Sequence, residues 1–279
     1  MEAVTTMSSH GSTNNKPNNL LDDEEEKWES CSSNSSNTSS TDHNMKLDEE
    51  EHHKVGVVRA FILSHDPSAK EVENLMIRRF LRARNLNVDK ASTLLLKYLR
   101  WRRSFVPNNY ISPSEIRNDL SQNKVFLQGV DKQGRPIVVT YGARHIPSKT
   151  GTDEFKRFSV YCLDKICSRM VDGQEKFVCI ADLEGWGYSN SDMRGYQAAL
   201  SILQDCYPER LGKLFIVHVP YVFMAAWKVI YPFVDNTTKK KIVFVENKKL
   251  RSTLLADIDE SQLPEIYGGK LQLVPIQDC

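Results

Sequence analysis

The sequence lacks the features that would place the protein in a membrane, a secretory pathway or an oxidising compartment. Its 279 residues contain no run of 18 apolar residues, which excludes a membrane-spanning helix. Residues 1–20 lack the basic and then apolar order of a secretory signal. The six cysteines form no C-x-x-C pair, so we expect reduced thiols. These absences predict a cytoplasmic protein.

Motifs for nucleotide binding and for common catalytic sites are also missing. The chain has no G-x-G-x-x-G, no G-x-x-x-x-G-K-[ST], no G-x-S-x-G and no H-E-x-x-H. We therefore expect no enzyme, no cofactor and no metal. The rival enzyme hypothesis is an α/β fold that uses Asp182, Glu184 and His218 on a small substrate. Asp182 is, however, typical of a turn cap, and His218 of a packed strand residue.

Charge is distributed unevenly behind a formal net charge of +1. Residues 1–54 hold 12 acidic and 4 basic side chains, whereas residues 55–279 hold 24 and 33. A basic body predicts an anionic partner. The arginine-rich residues 78–84 raise the possibility of nucleic acid, but they form only one polar face of an amphipathic helix attached to a large α/β body. We expect no nucleic-acid partner.

The N-terminal residues have little apolar area with which to offset chain entropy. Every residue from 30 to 41 except Cys31 is Ser, Asn or Thr, and acidic runs flank this stretch. Residues 1–54 are therefore predicted to be a disordered, acidic Ser/Asn-rich tail. Such a tail is either a solvated spacer or a phosphorylatable regulatory arm. A further hypothesis makes the protein an adaptor whose tail binds proteins.

Hydrophobic periodicity divides the remaining chain into two parts. Residues 55–110 show two amphipathic helices, the first over residues 71–83, and form a small helical lobe. From residue 111 to 279, short apolar strands alternate with helices, which predicts an α/β domain with mostly parallel strands. The predicted strands are residues 124–128, 137–141, 177–181 and 214–219, and the predicted helices between them are residues 155–170 and 192–207.

Residues 221–231 break this alternation, since ten of the eleven are apolar and only Lys228 is charged. The segment is either a buried core helix or a lid over a lipid-sized cavity. At about 1.5 Å of rise per residue it is too short to cross a bilayer, although it is long enough to lie on one. Three lysines and two threonines follow within residues 237–241 and suit a phosphate-bearing head group, unless they are simply a solvated face.

Five motifs, in order and in plausible spacing, carry a family resemblance. They are F-L-R-A-R at residues 80–84, D-K-Q-G-R-P at 131–136, D-L-E-G at 182–185, Y-P-E-R-L-G-K at 207–213 and L-P-E-I-Y-G-G at 263–269. Over residues 55–272 the chain resembles the CRAL-TRIO lipid-transfer family, especially its Sec-fourteen-like phosphatidylinositol/phosphatidylcholine transfer proteins.

The resemblance implies a fold and a site. The fold is an N-terminal helical lobe followed by an α/β/α lipid-binding domain, in which a mixed, mostly parallel sheet floors an apolar pocket closed by a gate helix. The implied residues for the inositol phospholipid head group are Arg84, Glu209, Arg210, Thr238 and Lys241. The implied gate-helix and pocket residues are Tyr221, Val222, Phe223, Met224, Trp227, Ile230 and Tyr231.

The resemblance also implies a function without chemistry. A monomeric carrier would exchange phosphatidylinositol between its pocket and anionic membranes, associate with them peripherally and reversibly, and present the lipid to inositol lipid kinases. Two departures are visible: Asn85 stands where such proteins often have Lys, and Trp186-Gly187-Tyr188 replaces the small hydroxyl residues of phosphatidylcholine exchangers. The alternative ligand is another hydrophobe, such as a tocopherol or a retinoid.

Overall fold

The computed structural model describes residues 39–171 and 173–279, with side chains from residue 49 onward apart from residue 172. Within these residues the helices are α1 (Ser39–His65), α2 (Asn74–Arg82), α3 (Val88–Phe105), α4 (Arg117–Ser121), α5 (Asp153–Ser168), α6 (Met193–Cys206), α7 (Phe223–Ile230), α8 (Asn236–Lys239) and α9 (Leu250–Asp257). The strands are β1 (Val125–Val130), β2 (Pro136–Tyr141), β3 (Phe177–Asp182), β4 (Leu211–Val217) and β5 (Ile242–Phe244). No helix in this part of the chain combines the length and apolarity needed to cross a bilayer.

Helix α1 begins well before residue 54, where the tail was predicted to end. It buries Val55, Val58 and Ile62, which share one helical face. One turn earlier, Glu51 is also buried because its carboxylate pairs with the Arg82 guanidinium at 2.8 Å. The structure therefore places residues 39–54 in a helix rather than in a disordered tail. Residues 1–38 of the predicted tail lie outside the described residues.

Helices α1, α2 and α3 pack into a helical lobe around Phe80, Leu81 and Leu95, which are almost fully buried. Helix α2 is shorter than the predicted stretch of residues 71–83. A 3-10 turn over Pro67–Glu71 precedes it. Asp66 caps this turn and Pro67 opens it, so the N–H groups at the start of the turn are satisfied locally.

The sheet confirms the predicted fold class. Its five strands lie in the order β1-β2-β3-β4-β5, with β1 antiparallel to β2 and all other neighbours parallel. The predicted turn after β1 contains Gly134 at a φ of +72°, a conformation that glycine adopts without a Cβ penalty. Strand β4 ends at Val217, so His218 follows the strand rather than packing within it.

The two faces of the central strands differ in how completely they are covered. On one face Val178, Ile180 and Phe215 are fully buried under a core that includes Leu254 of α9. The opposite face packs against helices of the α5 and α6 layer through its apolar side chains, of which Cys179 and Leu214 are only partly buried. The candidate site lies on this second side of the sheet.

Candidate functional site

Helix α7 follows β4 and lies over the incompletely covered face of the sheet. Phe223 and Ala226 pack against a small cluster of Leu183, Trp186 and Ile216. No residue of α7 is buried, and Met224 and Val229 on its outer side are 38% and 50% exposed. The structure therefore excludes a buried core helix for residues 221–231 and leaves apolar surface on both sides of the segment.

Aromatic contacts hold α7 at its first residue and in its middle. Phe223 meets the buried ring of Trp186 edge-on at 5.3 Å, and Trp227 meets Phe244 of β5 edge-on at 5.4 Å. Such pairs add a directional preference to apolar burial. Of the predicted gate residues, Val222, Phe223, Trp227 and Ile230 are half-buried, whereas Tyr221, Met224 and Tyr231 are exposed.

Cys179 marks the less completely covered face of the sheet. It lies in the middle of the central strand, where burial raises the pKa of its thiol to about 12. Its side chain nevertheless keeps accessible surface, as do Leu214 and Ile242 on the next two strands. This face of the central strands is therefore less completely covered than the face that carries Val178 and Ile180.

A cavity of about 410 Å³, which we call the polar cleft, lies where the ends of α2 and α6 meet α8. Four of the five predicted head-group residues line it, namely Arg84, Glu209, Thr238 and Lys241. Sequence reasoning missed its other charged residues, which are Arg82, Asp205 and Asp235. Of these, only Arg82 belongs to one of the five motifs.

Opposite charges face each other across the polar cleft. Lys241 Nζ lies 3.3 Å from Glu209 Oε2, and both side chains are largely buried. Arg84 Nη2 lies 3.7 Å from Asp205 Oδ1. Three cations and three carboxylates thus line the cavity together with amide and hydroxyl groups. Such a surface offers donors for a phosphate and acceptors for hydroxyl groups.

Asp235 fixes the position of Thr238. Its carboxylate caps α8 by accepting hydrogen bonds from the Thr238 backbone N–H at 2.8 Å and from the Thr238 hydroxyl at 2.6 Å. Burial by itself would raise the pKa of Asp235, but these hydrogen bonds outweigh it, so the pKa lies below its ordinary value. Asp235 is therefore ionised at neutral pH, and the threonine oxygen is oriented by it.

Arg210 is the predicted head-group residue that does not line the polar cleft. Glu209 adopts a φ of +58°, in the left-handed region, so consecutive side chains leave the chain on different sides. Arg210 instead lines a second cavity of about 200 Å³ with Arg79 and Arg102. We call this second space the arginine cavity. Arg210 and Lys241 thus line different cavities, which adjoin at Tyr207 and Pro208.

The structure also corrects the interpretation of His218. Its Nδ1 lies 2.9 Å from Asp182 Oδ1, and Tyr267 donates its hydroxyl to Asp182 Oδ2 at 2.8 Å. Asp182 does accept the backbone N–H of Glu184, as a turn cap should. Ligand atoms of Asp182, Glu184 and His218 all lie within 4.8 Å of one another, so these three are the described residues that could hold a metal ion.

A mostly parallel sheet, an apolar helix packed over one of its faces and a charged cleft lined by residues of α2, α6 and α8 characterise this α/β protein. The CRAL/TRIO domain matches residues 120–269, and the chain belongs to this family. The matched residues include the five strands, and they include helices α6 and α8, which line the polar cleft. The helical lobe lies N-terminal to it.

Individual relatives carry lipid-transfer names. The chain is 31% identical over 212 residues to phosphatidylinositol/phosphatidylcholine transfer protein SFH7 of Arabidopsis thaliana, covering 70% of this chain and 39% of that one. It is 29% identical over 220 residues to the Sec14 cytosolic factor of Schizosaccharomyces pombe, covering 73% and 77%. Several other relatives are longer still, and the chain spans only 19% to 38% of their length.

A solved structure shares the fold. The crystal structure of Sfh5 superposes with a TM-score of 0.63 at 19% identity, covering 82% of this chain and 91% of that one. At this identity the likeness concerns the fold alone. It confirms the α/β architecture predicted from the alternation of strands and helices.

Proposed function

We propose that the protein binds phosphatidylinositol and transfers it between membranes. The observation that carries this proposal is the polar cleft, which is lined by Arg84 and by the ion pair of Lys241 and Glu209. Relatives named as phosphatidylinositol/phosphatidylcholine transfer proteins support it. Presentation of the bound lipid to inositol lipid kinases is part of the same proposal.

The head-group chemistry fits a polyhydroxylated phosphate ester. Arg84 and Lys241 supply charge-assisted donors for the phosphate, and the carboxylates of Asp205, Glu209 and Asp235 accept hydrogen bonds from inositol hydroxyls. A choline head group has no hydroxyl to offer these carboxylates. The cleft therefore favours inositol over choline.

The acyl chains need a dry cavity rather than an energy source. Moving a 16-carbon chain from hydrocarbon into water costs about 13 kcal/mol, at about 0.8 kcal/mol per methylene. The accessible surface around Cys179, Leu214 and Ile242 marks where the chains would lie. Exchange between bilayer and protein is then nearly isoenergetic, and its rate depends on how often α7 opens.

The outer side of α7 suits transient contact with an anionic membrane. Met224, Val229 and Phe233 are exposed, and Lys228 and Lys240 lie nearby in the chain. Exposed apolar side chains flanked by lysines are attracted to such surfaces both by burial and by charge. The proposed encounter therefore brings the opening helix to the lipid.

Transfer of labelled phosphatidylinositol between vesicles tests the proposal. We expect Lys241→Ala to slow transfer about 10- to 100-fold, because one charge-assisted hydrogen bond contributes about 1.5 to 3 kcal/mol. Lys249→Ala removes the same charge from an exposed lysine outside the cleft and should transfer normally. Mass spectrometry of lipid extracted from the purified protein gives the second readout. An extracted ligand without an inositol phosphate, or equal transfer by both variants, would reject the assignment.

A further inference from the structure

We propose that the arginine cavity is a binding site for a small inorganic oxyanion of the phosphate class, distinct from the head-group site although Tyr207 and Pro208 line both the arginine cavity and the polar cleft. Three guanidinium groups, from Arg79, Arg102 and Arg210, line it. The cavity lies between α2 and α3 of the helical lobe and α5 of the α/β domain. The proposal stands whether or not the protein carries phosphatidylinositol.

Only two of the three arginines have a carboxylate partner among the described residues. Arg79 Nη1 lies 2.8 Å from Glu175 Oε1, and Arg102 Nη2 lies 2.8 Å from Asp164 Oδ2. Arg210, by contrast, donates from Nη1 to the backbone carbonyl of Glu175 at 3.1 Å and contacts a methionine sulfur. The cavity therefore has one positive charge in excess.

The guanidinium of Arg210 has donors to spare. A guanidinium carries five N–H groups in a planar fork, and the contacts described for Arg210 use only Nη1. The side chain is half-buried and lines the cavity, which places these donors within reach of a bound oxyanion. Oxyanions match the fork with two parallel hydrogen bonds, which makes them the favoured occupant.

Repulsion between the guanidinium groups also favours a bound anion in the arginine cavity. Burial lowers the pKa of Arg79, and the nearby positive charge of Arg210 lowers it further. An anion between the two would relieve this repulsion. A cavity of about 200 Å³ has room for a phosphate with a few waters, at about 30 Å³ per water, but not for a diacyl lipid.

Cysteines provide a reporter for the arginine cavity. Cys167 and Cys206 line it, whereas the polar cleft has no cysteine among its described lining residues. Burial raises the pKa of Cys167, and the charges of Arg210 and Arg79 hold the increase down. A bound oxyanion would cover the thiol and raise its pKa further. Each additional pKa unit lowers the reactive thiolate population about tenfold.

The experiment measures iodoacetamide alkylation of Cys167 in the full chain by peptide mass spectrometry. Inorganic phosphate is compared with gluconate at equal ionic strength, and alkylation of Cys279 serves as internal control. We expect phosphate to slow Cys167 alkylation about tenfold in the wild type and in Lys241→Gln, whose change lies in the polar cleft. In the Arg210→Gln variant, Cys167 should be alkylated at the same rate with and without phosphate.

Three outcomes would overturn the proposal. They are no effect of phosphate on the wild type, equal protection in Arg210→Gln, and protection by phosphatidylinositol vesicles in the absence of free phosphate. The last would make the cavity part of a lipid site. Should Arg210→Gln fail to fold, Arg210→Lys keeps the charge without the fork and should show weakened protection.

Discussion

Glu209 and Arg210 are adjacent in the sequence, yet their charged groups enter two different cavities. Glu209 faces Lys241 in the polar cleft, whereas Arg210 joins Arg79 in the arginine cavity. Between them the backbone of Glu209 adopts a left-handed φ of +58°, which costs a non-glycine residue about 1 kcal/mol or more. The fold accepts that cost at the junction of its two charged cavities.

The ion pair beside the arginine cavity should matter for stability. Replacing Glu175 by Gln leaves the Arg79 guanidinium buried without a compensating charge, since the two side chains are only 7% and 15% exposed. We expect Glu175→Gln to lower the free energy of unfolding by about 3 kcal/mol in urea denaturation. Glu246→Gln, at an exposed pair with Lys249, should change it by less than about 0.5 kcal/mol. Equal effects would contradict this account.

His145 should make the protein less stable in mild acid. Burial lowers the pKa of His145, and the Lys124 ammonium, 2.9 Å from its Nδ1, lowers it further, although Asp192 on the other ring nitrogen opposes this. Below pH about 6.5 the unfolded chain therefore binds a proton that the folded chain does not. The free energy of unfolding consequently decreases as the pH is lowered.

The measurement is urea denaturation at several pH values between about 7.5 and 5.5. His145→Asn should remove part of the slope in this window. A wild-type stability that rises as the pH falls toward 5.5 would have the wrong sign for a histidine with a lowered pKa.

Exposed apolar residues of α7 should affect membrane binding but not folding. Val229→Asp places a charge at a half-exposed position on the outer side of the helix. We expect the free energy of unfolding to change by less than about 0.5 kcal/mol. Binding to anionic vesicles should weaken several-fold in a sedimentation assay. Val171→Asp, at an exposed position in the loop after α5, makes the same change and should bind normally.

The glycine of the turn between β1 and β2 gives a backbone test. Gly134 has a φ of +72° and open space where a Cβ atom would lie, so Gly134→Ala suffers only from the left-handed conformation. We expect a loss of about 1 kcal/mol in unfolding free energy. Gly187, equally open but extended, is the matched control, and Gly187→Ala should be close to neutral. A neutral Gly134→Ala would contradict the assigned turn.

Local patterns predicted the elements whose own residues carry a recognisable spacing or composition. The apolar stretch containing α7, the glycine of the turn and the alternation of strands and helices all follow from spacing within about a dozen residues. Strand β5 was missed because its three residues follow a lysine run and show no periodicity of their own. It is a strand because Leu214 and Ile216 offer it a parallel neighbour.

Side-chain partners distant in sequence could not be predicted in the same way. His218 meets Asp182 because β3 and β4 run parallel with Asp182 beside Val217, a register that no local pattern specifies. The separation of Arg210 from Lys241 could not be predicted, because it occurs beside a positive φ at Glu209. Glu209, unlike a glycine, carries no sequence signal for that conformation. Tertiary geometry decided both cases.

The order of the strands has a consequence for synthesis. Every strand lies beside the one that precedes it in the chain, so an emerging polypeptide can add strands one at a time without leaving a gap for a later one. The outer edge of β1 is covered last, when the Leu127 backbone N–H donates to the Val274 carbonyl. Until Val274 leaves the ribosome, that edge of β1 keeps unpaired backbone groups that can pair with another strand.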